Sequence, residues 1–307
     1  MRIRPKRLEV GDTVGIIAPA GPPEAESLEK ALHFLEELGL NYKMGKHVHN
    51  VNGYLAGTDQ ERVKDFHDMF EDKEVDAIIC ARGGYGSARF AQQIDYQLIA
   101  ENPKIFWGYS DITYLHTALG NFSNIATFHG PMLSSDIGHD SFHELSKKMF
   151  QQLFTPMELH YTEDISPLKI VAGGSATGEL VGGNLSLLAS GIGTKYEIDT
   201  KGKLLLLEDV GEEPYQIDGM LNQLKLSGKL DDAIGFVIGD FAKSEPKKKD
   251  RSLTVDEVLD HYFGNLNKPA LKGFKIGHCE PHFAVPLGVE AKLDATEKTL
   301  TILPGVE

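Results

Sequence analysis

Apolar positions along this chain follow two alternating rhythms. "TVGIIAPA" (13–20) is a short unbroken apolar run that stops at Pro and Gly, the mark of a buried strand. "PEAESLEKALHFLEELGL" follows, with Leu28, Leu32, Leu35 and Leu38 at helical spacing and Gly39 as the stop. "TDQERVKDFHDMF" offers Thr58 and Asp59 as caps and sets Val63, Phe66 and Phe70 on one face. "EVDAIICA" and "KIFWG" predict two more buried strands, and "ITYLHTAL" a helix after the second. Such alternation predicts parallel strands with crossover helices, an open α/β layer of about 150 residues. Ligands in such layers bind at the carboxyl ends of strands.

The rhythm changes after residue 155. Turn-rich sequence with Gly, Pro and Thr predicts a linker, placed at 161–180, between an N-terminal domain of 1–160 and a C-terminal domain of 181–307. Three apolar runs then end in polar corners: "KLLLLEDV", "AIGFVIGDF" and "GFKIGH". "PLGVEAKLDATEKTLTIL" predicts a hairpin turning at "DATEK". "PYQIDGMLNQLKLSG" and "TVDEVLDHYF" predict helices. The fold expected is α/β, with a smaller β-rich C-terminal domain.

Composition narrows the function. A formal net charge of −14 argues against nucleic acid and anionic membrane as partners. Two cysteines, Cys80 and Cys279, make no disulfide framework and fit a reducing cytoplasm. No secretory h-region follows the basic N-terminus, and no run approaches the roughly 20 apolar residues of a membrane span.

"FWGYSDIT" (106–113) breaks from an apolar run into a helical pattern at Ser110. Serine there is either an N-cap or a nucleophile on a sharp corner. The α/β-hydrolase G-x-S-x-G motif is absent, because Ile112 stands at the second glycine position. "CARGGYGSARF" (80–90) puts Gly83, Gly84 and Gly86 between a strand and a helix, where backbone N–H groups can cradle a phosphate, hold an oxyanion or simply turn the chain. Its spacing is neither G-x-G-x-x-G nor a Walker loop. Arg82 and Arg89 could pair a carboxylate bidentately. Glu208 and Asp209 end the leucine run on opposite faces, one expected in solvent and the other in need of a partner. His278 and His282 invite a metal reading, but Pro281 breaks the helix that would align them. Ser110, Glu208 and His278 thus each end a strand-like run. A serine needs a base, an imidazole needs an acid to fix its tautomer, and a developing oxyanion needs N–H donors.

Seven motifs carry a family resemblance in order: "GDTVGIIAPAGP", "ARGGYGSAR", "FWGYSDIT", "TFHGPM", "GELVGGNLSLL", "LEDVGEEPYQIDGMLNQL" and "GFKIGHCEPHFAVPLG". The sequence resembles the LD-carboxypeptidase family, serine peptidases that trim murein peptides, which includes the microcin C self-immunity proteins. The resemblance implies Ser110 as nucleophile, Glu208 as orienting acid and His278 as base. It implies an oxyanion hole from the backbone N–H groups of Asp111 and Gly84. It also implies a flavodoxin-like N-terminal layer, a site in the cleft between domains, no metal or other cofactor, a cytoplasmic location and a homodimer. The expected partner is a small peptide substrate, with Arg82, Gly83, Tyr85 and Trp107 as candidates to touch it. The activity implied is release of the terminal D-alanine of a murein tetrapeptide. The alternatives are cleavage of aminoacyl-sulfamoyl adenylates, for which Tyr161 could stack on adenine, and a non-enzymatic nucleotide-binding module.

Overall fold

The computed structural model describes residues 2–307. Fourteen strands form two sheets. In chain order they are β1 (Thr13–Ile17), β2 (Asn41–Met44), β3 (Ala77–Cys80), β4 (Ile105–Gly108), β5 (Thr127–His129), β6 (Leu159–Tyr161), β7 (Lys169–Ala172), β8 (Ser175–Asn184), β9 (Leu204–Val210), β10 (Gly235–Ala242), β11 (Ala270–Lys272), β12 (Val285–Leu287), β13 (Glu290–Asp294) and β14 (Thr299–Ile302).

The first sheet runs β2-β1-β3-β4-β5-β12. Its first five strands are parallel, in the flavodoxin-like order 2-1-3-4-5. The apolar runs of β3 and β4 are unbroken because these strands are buried on both faces. Helix Ala25–Glu37 covers one face with Leu28, Ala31, Phe34 and Leu35. Helix Asp59–Glu71 covers the other with Val63, Phe66, Met69 and Phe70. Thr58 and Glu61 close a capping box at the start of that second helix, each side chain accepting the other's backbone N–H.

The second sheet runs β6-β14-β13-β8-β9-β10-β11-β7. Strands β8 to β11 are parallel, and the hairpin β13–β14 and the edges are antiparallel. Helices Pro214–Leu226 and Val255–Phe263 pack on it through Ile217, Leu221, Leu224, Val258, Leu259 and Phe263.

Two expectations are corrected. The stretch 161–180, read as a linker, supplies β7 and the first half of β8 to the second sheet. Those residues are largely exposed, and Ile170, Val171 and Ala172 make too short an apolar run to announce a strand. "GFKIGH" is not a strand: pairing ends at Lys272, and Gly273 and Gly277 take positive φ angles that no extended ladder accommodates. The helix expected after the glycine loop is present, as one turn, Ser87–Phe90. The chain also returns late to the first sheet, where β12 pairs antiparallel with β5 and sets Val285 opposite His129. That crossing fixes the seating of the loop 273–284 against the carboxyl end of β4.

Candidate active site

Ser110 stands two residues beyond the carboxyl end of β4, at φ +62°. A non-glycine residue in the left-handed region costs about 1–3 kcal/mol and persists only where the surroundings enforce it. Asp111 enforces it here. Its buried carboxylate accepts from the backbone N–H of Gly86 (3.3 Å) and Ser87 (2.8 Å), while its carbonyl accepts from the Ser87 hydroxyl (2.7 Å). The serine corner and the glycine loop are therefore one tied unit. Burial pushes the Asp111 carboxyl above its ordinary range, and the bonds from Ser87 and Gly86 pull it back.

Ser110 is not a cap, because its hydroxyl accepts no helical N–H. It meets His278 Nε2 at 3.0 Å, and His278 Nδ1 meets Glu208 Oε2 at 2.7 Å. The bond to the carboxylate assigns the proton to Nδ1 and leaves Nε2 to accept from the serine. Glu208 is fully buried in β9, and its Oε1 makes no hydrogen bond. Burial raises its pKa, with His278 opposing the shift. For His278, burial would lower the pKa. The hydrogen bond and charge of Glu208, with Asp136 and Asp209, outweigh it and raise the value. A hydroxyl, an imidazole and a buried carboxylate in this line can pass a proton off the oxygen and balance the resulting imidazolium.

The glycine loop lies against the hydroxyl. A Cβ on Gly83 would come within 3.3 Å of Ser110 Oγ, and Gly84 adopts φ +118° beside Gly21. The Gly83 carbonyl accepts from Gly21 N–H (2.9 Å), which pins the loop to the segment following β1. Gly83 is thus the loop residue that lies against the serine, and Gly84 follows it beside Gly21.

The structure separates the other candidates. Arg82 is exposed and donates to the Pro22 carbonyl (3.1 Å), with no acidic partner among the described residues. Arg89 is spent on Asp59 (3.0 Å) and faces away from a substrate role. Tyr85 is 56% exposed and packs edge-on against Tyr54 at the loop's rim (5.5 Å). Trp107 is corrected outright. It has no exposed surface, donates its indole N–H to the Pro131 carbonyl (2.7 Å) and packs on Phe128 and Phe150, because β4 is a central strand. Tyr161 is likewise buried, bonded to the Ser166 hydroxyl (2.7 Å), and cannot stack on a ligand.

Asp209 is corrected too. Neither carboxylate at the end of β9 is solvated. Asp209 accepts from Asn184 Nδ2 (3.0 Å), the Ser186 amide (2.9 Å) and hydroxyl (2.7 Å), and its neighbour Val210 N–H (2.8 Å). His282 is buried with both ring nitrogens unpartnered, and both nitrogens of His278 are engaged. No group of three metal-ligating side chains occurs among the described residues.

Sequence reasoning missed Gly277. At φ +119°, its absent Cβ would sit 2.5 Å from Glu208 Oε2, so only glycine lets the His278 loop close on the acid. A glycine one residue before the histidine was the available signal. The Asn184–Asp209 pair and Tyr109 were also missed.

The chain is similar to known proteins along nearly its whole length. Residues 14–130 match the LD-carboxypeptidase N-terminal domain and residues 177–293 its C-terminal domain. The chain is 56% identical over 306 residues to the "Probable murein peptide carboxypeptidase" of Bacillus subtilis (strain 168), covering 100% of this chain and 96% of that protein. Among solved structures, the wild-type apo form of the microcin C7 self-immunity protein MccF superposes with a TM-score of 0.89 at 25% identity, over 98% of both chains. The muramoyltetrapeptide carboxypeptidase from Oxalobacter formigenes superposes with a TM-score of 0.84 at 26% identity, over 94% of this chain and 97% of that one. The chain belongs to the LD-carboxypeptidase family.

Proposed function

We propose, from that membership, that this chain is a serine carboxypeptidase that hydrolyses the L–D amide bond of murein tetrapeptide and releases the terminal D-alanine. The observation that carries the reading is the Ser110–His278–Glu208 line of hydrogen bonds, assembled from both sheets.

The Ser110 hydroxyl attacks the carbonyl carbon preceding D-alanine, and its proton passes to His278 Nε2. Glu208 balances the imidazolium through Nδ1–H. The oxyanion takes the backbone N–H groups of Asp111 and Gly84. His278 returns the proton to the D-alanine nitrogen as the C–N bond breaks, leaving an acyl ester on Ser110. Water, deprotonated by His278, cleaves that ester and restores the serine. The terminal D-alanine carries a carboxylate, and Arg82, with no acidic partner among the described residues, is the group suited to read it. Tyr85 beside it offers an apolar face to the peptide.

The test is incubation with meso-diaminopimelate and lysine tetrapeptides, read by mass spectrometry. Loss of one D-alanine from either supports the reading, and intact peptides under all conditions overturn it. Cleavage of aminoacyl-sulfamoyl adenylates is the second reading, favoured by the fold likeness to MccF. The burial of Tyr161 weighs against adenine stacking at that position. A fluorophosphonate adduct on Ser110 separates either hydrolase from a non-enzymatic binding module. A cytoplasmic homodimer belongs to the same reading, and light scattering after gel filtration tests its mass.

A further inference from the structure

The mechanism above uses one face of His278. The other face is built as deliberately. Tyr109, the residue before the nucleophile, is 4% exposed and lays its ring 4.7 Å from the His278 ring. Its hydroxyl cannot reach a substrate, because it donates to Asp136 Oδ1 (2.8 Å). The other oxygen of Asp136 accepts from Met132 N–H (2.8 Å) and from the Ser135 hydroxyl (2.8 Å). Three donors therefore converge on one part-buried carboxylate at the edge of the cleft.

We propose that Asp136, tethered through Tyr109, is a second carboxylate acting on His278, and that the pair are positioning residues for the base. Asp136 lends negative charge to the imidazole from behind the Tyr109 ring that packs on it, and Tyr109 holds the imidazole in the line between Glu208 and Ser110. The proposal rests on the serine-peptidase reading, since it assigns a task to the base.

The surroundings of His278 leave this task to few groups. Glu208 meets it from β9, and the charges of Asp209 on the same strand, Asp240 on β10 and Asp136 in segment 133–137 also bear on it. Asp209 is spent on Asn184, Ser186 and Val210. Asp240 lies 4.0 Å from the Lys275 ammonium, which offsets its charge. Cys279 follows His278 in the chain, and burial keeps that thiol protonated. His129 and His282 pack on the same tyrosine, 5.6 and 4.8 Å from its ring, and their ring nitrogens have no hydrogen-bond partners. Burial lowers both pKa values, that of His282 to about 3, so they stand neutral beside the base and add no repulsion at working pH. Glu280 is the like charge that opposes Asp136. Burial raises the Asp136 pKa, and the bonds from Met132, Tyr109 and Ser135 draw it back toward the ionised form.

The sign follows directly. Hydrolysis needs His278 neutral, so kcat/KM falls as pH drops through the His278 pKa. Asp136 favours the imidazolium and so holds that pKa up. Asp136→Asn keeps the shape and removes the charge, and should lower the His278 pKa by about half a unit or more. The acid limb of kcat/KM should move to lower pH by the same amount. Tyr109→Phe keeps the ring and removes the tether. It should lower kcat about three- to tenfold at neutral pH with KM unchanged.

The experiment pairs an NMR titration of the His278 ring in the unliganded protein with the pH profile of tetrapeptide hydrolysis, for wild type and both variants. Parallel downward shifts in Asp136→Asn support the proposal. A His278 pKa unmoved in Asp136→Asn overturns the charge, and a Tyr109→Phe kcat within twofold of wild type overturns the tether. If Asp136→Asn does not fold, Asp136→Glu serves, because it restores the charge and should keep the limb near its wild-type position. A limb moved to lower pH in Asp136→Glu despite the retained charge overturns the charge argument and marks Asp136 as merely structural. An NMR shift without any movement of the kinetic limb would instead show that His278 is not the base, which refutes the peptidase reading and leaves the electrostatic coupling intact.

Discussion

Glu208→Gln tests the site where its parts are most tightly coupled. Glu208 has no exposed surface and one bond, 2.7 Å to His278 Nδ1. Glutamine fills the same volume without the charge. Two losses combine. A hydrogen bond to an ionised partner contributes about 1.5–3 kcal/mol against about 0.5–1.5 for a neutral one, so imidazolium stabilisation falls by about 1–2 kcal/mol, or roughly tenfold in rate. The amide can also turn its NH₂ toward Nδ1, which sends the ring proton to Nε2 and faces it at Ser110. The inverted tautomer alone accounts for losses of about 10⁴ in kcat at comparable sites. We expect kcat at least a hundredfold lower, with KM little changed. Stability should move the other way. Burial raises the Glu208 pKa in the folded state, so its stability contribution is present below the unfolded pKa and lost as pH rises through the folded value. At pH 8 the ionised buried carboxylate is a cost that glutamine removes, and Tm should hold or rise. The assay is D-alanine release at saturating tetrapeptide with a thermal melt on the same sample. A folded variant within tenfold of wild-type kcat refutes the role given to Glu208, and a large fall in Tm refutes the electrostatic argument.

Ser110→Ala should cost several powers of ten in turnover without unfolding, whereas Ser110→Gly should be equally inactive but about 1 kcal/mol more stable, since glycine accepts φ +62° freely. A serine-free variant that still turns over, or a glycine variant that melts lower, removes the respective claim. Asp209→Asn should lower stability by about 1–3 kcal/mol, because four N–H and O–H groups converge on a carboxylate that an amide replaces only in part; an unchanged urea midpoint would contradict it. Gly277→Ala should abolish most activity by forcing Cβ onto Glu208 Oε2, visible as loss of the Ser110 fluorophosphonate adduct in a folded protein. Arg82→Lys should lower kcat/KM sharply on tetrapeptide acids and little further on C-terminal amides; equal losses on both show that Arg82 supports the loop through Pro22 instead.

Much of this molecule is written locally. The runs at 13–17, 77–80 and 105–108 declare buried parallel strands because both their faces meet apolar neighbours, leaving no alternation to disguise them. The capping residues at Thr58 and Thr254 and the helical spacing of Leu28 and Leu35 are equally local. Strands β7 and the start of β8 escaped because they lie partly exposed: Ile170, Val171 and Ala172 make too short an apolar run, and the small and polar residues from Ser175 carry no burial signal. Trp107 looked like a substrate contact because it lies near the nucleophile in sequence, yet β4 is a central strand buried on both faces, so its side chain lies in the core.

The sequence by itself determined the three residue types of the site and that each ends an apolar run. Only the tertiary structure decided that they meet. Ser110 and His278 lie 168 residues apart and Glu208 and His278 lie 70 apart, so no local spacing encodes their 3.0 and 2.7 Å contacts. The return of β12 to β5 and the glycine at 277 set those distances, through pairing and close approach between segments remote in the chain. The same holds for Asp209, whose solvation a strand pattern predicts by face. A second layer of chain, Asn184 and Ser186 folding over the strand end, buried the face that the pattern left open.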